Sequence, residues 1–456
     1  SVLSDPESVN VFRAYAFDPI VSTEVSFDIH DGYVDTLFSI ETDNDGQTLF
    51  ALLPQHFSSL SDVSACDSLV GVYQTLYGQQ RLCVGSSFLF SQKFQKPLDR
   101  FDLSGLSDAR RRQLEVFVKE DVQNLSLNAQ DTYFLGKELF ALANLLDIAR
   151  QLDLFDEADL IRGRLKSELE LWRDNTFSSK DIAKSFYYDS MIGGVVGTPF
   201  SFGSELFNDH NFHYGYFIYA ASILSRYDEG YLRDNRNFIN LLVRDIANFD
   251  RNNTDFPYVR GFDFYAGHSW AAGQGLFRDG NNQESSSEAV TAWYAVGLWG
   301  NVVDDQRLVD FSNYLYTRES LSALDYWLNI DQQDPRFEGY SHPLVSLVWG
   351  GKLDWATWFS PRPEAKLGIQ ILPISPASLY LGDDLGRVRE NFASDMSLQN
   401  PTLFKDYLVM YQALYDIDSA RLKAQLLLPE DIDGANSRSA IEAWLITVEN
   451  FLSRQK

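Results

Sequence analysis

The chain has 456 residues, 45% of them hydrophobic and 14% aromatic, and carries 38 Lys and Arg against 64 Asp and Glu, a formal net charge of −26. That charge repels phosphate backbones and anionic bilayers, so neither nucleic acid nor membrane is expected as a partner, while a neutral ligand is indifferent to it. No apolar run of about 18 residues exists to span a bilayer, and the apolar content suffices for two or three domains or one large helical barrel with an appendage.

Residues 1–103 read as strands. Stretches 9–17, 23–29, 33–40, 47–53, 70–77 and 81–90 are rich in Val, Phe, Tyr and Thr, with turn residues such as Asp43-Asn44-Asp45-Gly46 between them. Both cysteines, Cys66 and Cys83, fall here. They are compatible with a pair across neighbouring strands or with two free thiols, and the lack of a Cys/His cluster argues against structural zinc. The start, Ser1-Val2-Leu3-Ser4-Asp5-Pro6, does not read as a signal peptide, so a cytosolic chain, or a mature or trimmed form of an exported one, is expected. Asn124-Leu125-Ser126 and Asn252-Asn253-Thr254 are glycosylation sequons, meaningful only in a eukaryotic secretory host.

From residue 106 the apolar period becomes helical. Stretches 108–125, 132–152 and 156–172 are amphipathic with short links; 176–207 is irregular; helices resume at 210–226, 233–249, 284–300 and 305–328. A second irregular region, 349–382, holds a β-like run at 368–372. Helices return at 402–417, 418–427 and 438–453. No repeat of fixed period occurs, and roughly ten to twelve helices in loop-joined pairs predict an α/α toroid. Its loop-rich segments would gather at one mouth and carry function.

Three segments carry chemistry. The first is Phe207-Asn208-Asp209-His210-Asn211-Phe212-His213-Tyr214-Gly215-Tyr216. Aromatic neighbours desolvate the Asp209 carboxyl and raise its pKa, as a general acid requires; alternatively Asp209 simply caps a helix. His210 and His213 have a spacing compatible with metal, but no third ligand motif accompanies them. The second, Arg260 through Gly280, sets Tyr265, His268 and Trp270 among glycines, as in an exposed aromatic loop. Gly273-Gln274-Gly275 does not complete a dinucleotide fingerprint, Gly136-Lys137 lacks the upstream glycine of a phosphate loop, and no nucleophile elbow exists.

The third segment is Asn281-Asn282-Gln283-Glu284-Ser285-Ser286-Ser287-Glu288, just ahead of an apolar run. Helical spacing would put Glu284 and Glu288 on one face, with Asn281 or Asn282 as the cap and Glu284 in the first turn, where the helix dipole favours a charged carboxylate. The small serines would let a bulky ligand approach. The plain alternative is a capped, solvated helix start. An acid, a base and an excess of aromatic rings, which stack on sugar faces, suit an inverting glycosidase. Its two carboxyls stand about 6.5–9.5 Å apart to admit water, and no metal or other cofactor is needed.

These segments together resemble glycoside hydrolase family 81, the endo-β-1,3-glucanases. Asn208-Asp209-His210-Asn211-Phe212-His213-Tyr214-Gly215-Tyr216 is similar to a family signature, with Asn211 in place of a usual His. Asp279-Gly280-Asn281-Asn282-Gln283-Glu284-Ser285-Ser286-Ser287-Glu288 resembles a second. Gly351-Lys352-Leu353-Asp354-Trp355-Ala356-Thr357-Trp358-Phe359, the 368–378 stretch, Thr48 through His56, and Tyr133 with Gly136-Lys137 resemble further blocks, so the likeness runs from residue 10 to 430. The resemblance implies a mostly α chain: an (α/α)6 toroid barrel over 104–456, preceded over 1–103 by a β-rich region, a reduced or truncated β-sandwich with a small α/β part. It implies endo-hydrolysis of β-1,3-glucan with inversion by a secreted or cell-wall-associated monomer. Asp209 would be the acid, Glu284 the base and Glu288 an essential neighbour, with the choice between the two glutamates open. His213, Tyr216, His268, Trp270, Tyr133, Lys137, Asp279 and Asn282 would contact substrate. The family's long sandwich portion ahead of residues 10–60 is short or absent here, through trimming or reduction. The competing readings are a catalytically silent glucan-binding protein on the same scaffold, and an exo-acting α-glucosidase with a closed pocket.

Overall fold

The computed structural model describes residues 6–57, 68–173, 184–331, 333–395, 398 and 400–454. Two compact units make up the chain. One comprises Ser1–Lys96 with Phe264–Ala266 and Ile330–His342; the other comprises Pro97–Asp263, Gly267–Asn329 and Pro343–Lys456. Two short segments far along the sequence thus pack with the first unit, which a contiguous division at residue 103 does not describe.

In the first unit, helix α1 (Pro6–Tyr15) is followed by strands β1 (Ile20–His30), β2 (Tyr33–Thr42) and β3 (Thr48–Leu52), helix α2 (Pro54–Phe57), and strands β4 (Ser68–Thr75), β5 (Gly78–Gly85) and β6 (Ser87–Lys93). They form two antiparallel three-stranded sheets, ordered β1-β2-β6 and β3-β5-β4. Alternation along β2 buries Val34, Thr36 and Phe38. Phe38 pairs directly with Phe88, their rings stacked 4.6 Å apart. With Phe50, Leu52, Cys83 and Phe90 these two make one core.

Two strand expectations change. The strand expected at 9–17 is helix α1, opened by Pro6, where a missing amide proton costs nothing. The strand expected at 81–90 is two, because the chain leaves one sheet at Gly85 and joins the other at Ser87. Cys66 lies outside the described residues.

The second unit is helical: α3 (Asp108–Asn124), α4 (Thr132–Gln151), α5 (Phe155–Arg173), α6 (His210–Tyr227), α7 (Glu229–Ala247), α8 (Ser286–Val302), α9 (Gln306–Ala323), α10 (Pro363–Gly368), α11 (Leu385–Ala393), α12 (Lys405–Gln412), α13 (Ile417–Ala424) and α14 (Arg438–Arg454). Helix α4 packs on α6, α6 on α8, and α8 on a 3-10 turn, Pro376–Gly382; α12 packs on α14, and α14 returns to α4. Helices α4, α6 and α8 are buried almost all round, as elements enclosed by others must be. α3, α5, α7 and α9 pack against these, α13 packs against α12 and α14, and each exposes one side.

Short strands thread the loops: a hairpin β7 (Ser185–Asp189) and β8 (Gly194–Thr198), a pair β9 (Phe262–Asp263) and β10 (His268–Ser269), and a sheet of β11 (Asn282–Gln283), β12 (Leu347–Trp349) and β13 (Leu353–Asp354). The hairpin occupies part of the 176–207 stretch that reads as irregular. The β-like run 368–372 is not a strand. Its amides fold back onto α10 and onto itself, with Ile369 N–H donating to Ala365 O and Leu372 N–H to Gly368 O. Its apolar side chains are buried on every side.

Candidate active site

Several long helices here begin with a side-chain cap. Asp131 accepts from the amides of Tyr133 and Phe134 at the start of α4, Asp228 caps α7 and Asp305 caps α9. Helices α6 and α8 lack one, and they begin at the candidate carboxylates.

Asp209 occupies the cap position of α6, yet its side chain makes no cap bond. The reason is its backbone: φ is 58° and ψ 20°, whereas a capping residue is extended. Asp tolerates this left-handed region better than most residues. Phe207 (φ 64°) and Phe202 (φ 54°) share it, so unfavourable backbone concentrates around this one carboxylate. Helix capping is therefore excluded, and the carboxyl is left for other work. Burial, then the charges of Glu288 and Glu284, push it well above the usual carboxylate range.

The acidic pair is arranged differently from the expected helical face. Asn282 and Gln283 are extended, paired with Trp349 and Val348, and the helix starts only at Ser286. Glu284 thus precedes the helix, and only Glu288 lies in its first turn. Asn281 does not cap; its side chain brackets Ala272, accepting from that amide at 3.0 Å and donating to that carbonyl at 2.7 Å. The three serines are buried anchors, not open space. Ser285 Oγ donates to Ile369 O, Ser286 Oγ to Gln370 Oε1 and Ser287 Oγ to Leu372 O.

The two glutamates have unlike surroundings. Glu288 is closed to solvent. Tyr216 Oη donates to its Oε1 at 2.6 Å, and the hydroxyl of Tyr133 and the charge of Lys137 also act on it. Burial pushes this carboxyl up, and those donors hold the rise back. Glu284 is only partly buried. The Trp358 amide donates to its Oε1 at 2.8 Å. Burial pushes it up to about 7, the Trp358 bond opposing and the Glu288 charge adding.

Around them, Lys137 Nζ pairs with Asp433 Oδ2 at 2.7 Å, and Asp433 also accepts from Tyr407 Oη at 3.1 Å. The Tyr133 ring meets Phe134 and Phe202, both half exposed, edge-on. Beside Glu284, Trp358 is 59% exposed and packs with Phe277 and Trp349. Its indole Nε1 lies 3.4 Å from Asn282 Oδ1.

Of the remaining expected residues, His213 is closed to solvent, with Nδ1 2.7 Å from Thr132 Oγ1 and its Nε2 unpartnered. Burial lowers it to about 3. His268 is equally buried, packed on Trp270, Trp327 and Tyr326. Trp270 is partly exposed and donates to Asp263 Oδ2 at 3.2 Å. Asp279 is exposed and pairs with Lys352 at 3.3 Å. His210 spends both ring nitrogens, on Asp245 Oδ2 and Ser204 O, so it is no free ligand. Among the described residues, no group of His, Cys, Asp and Glu is arranged to hold a metal ion.

Sequence reasoning missed Asp433 and undervalued Trp358. Asp433 lies 296 residues from its partner Lys137, and nothing local marks it. Trp358 lies in the 351–359 segment, but only its exposure and its amide contact mark it as part of the site.

A family model described as "Glycosyl hydrolase family 81 C-terminal domain" matches residues 105–446. A glucan endo-1,3-beta-D-glucosidase of Acetivibrio thermocellus is 37% identical over 460 residues, covering 97% of this chain and 58% of that protein. One of Thermobifida fusca is 33% identical, covering 99% and 60%. A solved glycoside hydrolase family 81 structure from Clostridium thermocellum, a glutamate-to-alanine mutant, superposes with a TM-score of 0.88 at 34% identity, over 98% of this chain and 63% of that one. The chain thus spans about three fifths of the length of these relatives.

Proposed function

Because the chain belongs to glycoside hydrolase family 81, we propose that it hydrolyses internal linkages of β-1,3-glucan with inversion at the anomeric carbon. The observation that carries this reading is the unlike treatment of three neighbouring carboxyls. Asp209 is freed from capping, and burial with two negative neighbours pushes its carboxyl well above the usual range. Glu284 is reachable and holds one fixed donor. Glu288 is enclosed by hydroxyls.

The chemistry follows. Asp209 gives its proton to the glycosidic oxygen as the bond to the anomeric carbon breaks. Glu284 takes a proton from a water attacking the opposite face, and the released end is α. Glu288, anchored by Tyr216 and Tyr133, fixes the local field and raises both partners, so that the acid stays protonated until it is needed. Tyr133, Trp270, Trp358 and Phe277 offer ring faces to sugars on either side of the carboxyls, as an enzyme cutting within a chain requires.

The order of helix packing supports an (α/α)6 barrel: α4, α6, α8, the 376–382 turn, α12 and α14 as inner members, with α3, α5, α7, α9, α11 and α13 outside. The family match over residues 105–446 supports a catalytic barrel within 104–456, from which residues 264–266 and 330–342 depart to pack with the β-rich N-terminal unit. Among the described residues no helix is long and apolar enough to cross a membrane. A polymeric glucan substrate fits a secreted or wall-associated monomer.

Proton NMR during early hydrolysis of a linear β-1,3-glucan tests the reading. α-Anomer first, with oligosaccharides of mixed length, is expected. β-Anomer first overturns the base role of Glu284, and no reducing ends at all would leave a glucan-binding protein.

A further inference from the structure

Residues 269–273 run between the chain that carries the acid and the chain that carries the base, and every one of them is held. Ala271 O accepts from the Asp209 amide at 2.9 Å, and Ala271 N–H donates to Asn282 O at 2.8 Å. Trp270 N–H donates to Gly261 O at 2.8 Å. Ala272 is bracketed by the Asn281 side chain, and Gly273 N–H donates to Asn208 Oδ1 at 2.9 Å. Acid and base are thus spaced through one residue's peptide groups.

The strut is anchored at Ser269. The buried carboxylate of Glu319, on α9, accepts from the Ser269 amide at 2.9–3.0 Å through both oxygens and from Ser269 Oγ at 2.5 Å. A third donor, Trp293 Nε1 of α8, is 3.0 Å away and fixes the carboxylate itself. All the donors are N–H or O–H, and only a carboxylate offers acceptors alone to them. Below the strut, Ser322 Oγ donates to Gly267 O at 2.9 Å, so α9 grips this segment at two points. Asp209 depends on the strut more than Glu284 does. Its side chain has no cap bond and its backbone is left-handed, whereas Glu284 also has Trp358 to hold it.

We propose that Glu319 is a positioning residue for the general acid: through Ser269 and the 269–273 strut it fixes where Asp209 presents its proton. This rests on Asp209 being the acid, and the test separates the two ideas by leaving group. A natural glucan needs a protonated leaving oxygen; a 2,4-dinitrophenyl β-laminarioside does not, because its phenolate leaves unaided.

Glu319→Gln puts a donor against donors and should lower kcat on laminari-oligosaccharides at least tenfold, with KM within about twofold, while the dinitrophenyl substrate loses less than threefold. Glu319→Asp, a shorter carboxylate, should recover part of the loss. Ser269→Ala, which removes one donor, should show the same selectivity more weakly and serves if Glu319→Gln does not fold. Equal losses on both substrates in a folded Glu319→Gln or Ser269→Ala protein overturn the positioning role. Asp209→Asn is the control: selective loss there supports the acid assignment, and equal loss on both substrates overturns that assignment and the proposal with it.

Discussion

The hydroxyl of Tyr216 donates to Oε1 of Glu288 at 2.6 Å, with both side chains closed to solvent. A buried carboxylate without such a donor is costly, and a hydrogen bond to a charged group contributes about 1.5–3 kcal/mol. Tyr216→Phe deletes the donor without opening a cavity of any size. We expect Tm to fall and kcat to drop about 10-fold or more. Removing a bond to the ionised form also favours the neutral one, so the acidic limb of the pH–rate profile should move to higher pH. A limb that stays put, in a variant with wild-type kcat, would show that Tyr216 does not support a catalytic carboxylate.

The raised carboxyls make stability depend on pH in a defined window. Glu284, Glu319 and Asp406 are each pushed by burial to about 7, far above an unfolded carboxyl. The folded state therefore binds more protons than the unfolded one as pH falls through 7, and stability rises in that direction. His213, lowered to about 3, opposes this as pH nears its unfolded value of 6.5, where the unfolded chain takes up the proton instead. Between pH 8 and 6.5 the three carboxyls outweigh this one imidazole. Tm should rise by roughly 2 °C or more on lowering the pH across that range, and Glu319→Gln should reduce the rise. A Tm that falls from pH 8 to 6.5 would contradict it.

Gly273 tests the strut from its other end. A Cβ there would lie 2.2 Å from Leu206 O and 2.7 Å from the Phe207 carbonyl carbon, both backbone atoms that cannot step aside. Gly273→Ala must push 271–273 off the acid chain. We expect a stability loss of about 1–3 kcal/mol in chemical denaturation, with kcat on glucan falling about 10-fold or more. Wild-type kcat in a folded variant would mean that the spacing of acid and base tolerates this shift.

How much of this was legible in the residues depends on whether the signal is local. The long helices of the second unit follow from their apolar period, and α4 and α6 end within a residue of the expected positions, whereas the short α10 and α11 were not expected. The start of α8 was misplaced because Gln283 pairs with Val348, a partner 65 residues away, which extends the chain past Glu284 before it can coil. The 368–372 run misled for the opposite reason. Its apolar residues are buried all round, and neither helical nor strand period survives where every face is inside. At the site, Asp209, Glu284 and Glu288 were legible from sequence motifs. The left-handed backbone that keeps Asp209 from capping was not, nor were Asp433 and Glu319, whose meaning comes from partners 296 and 50 residues distant.

Trp358 joins two roles that mutation can separate. Its amide holds Glu284, while its ring, 59% exposed beside Phe277, offers a face to sugar. Trp358→Ala keeps the amide and removes the ring. KM for laminari-oligosaccharides should rise about 5-fold, in line with the roughly 1 kcal/mol scale of an aromatic contact, with kcat within about threefold. Trp358→Pro removes the amide proton as well and should lower kcat too. Equal effects of the two substitutions on kcat would show that the amide bond to Glu284 is not used in turnover.

The last prediction assigns the base. Glu284 is reachable and accepts from the Trp358 amide, whereas Glu288 is sealed among Tyr216, Tyr133 and Ser285. A group that takes a proton from an attacking water must touch that water, which favours Glu284. Glu284→Ala should lose about 100-fold or more in kcat, and azide should restore turnover by attacking in place of the activated water. Its product should be an α-glycosyl azide, because the attack is on the face opposite the departing β-linked oxygen. Glu288→Ala should be comparably impaired, since it empties a buried site on which two tyrosines converge, but azide should not rescue it, because the pocket it leaves is closed to the reacting carbon. Rescue of Glu288→Ala alone would exchange the roles of the two glutamates, and a β-azide product from either variant would end the inverting mechanism.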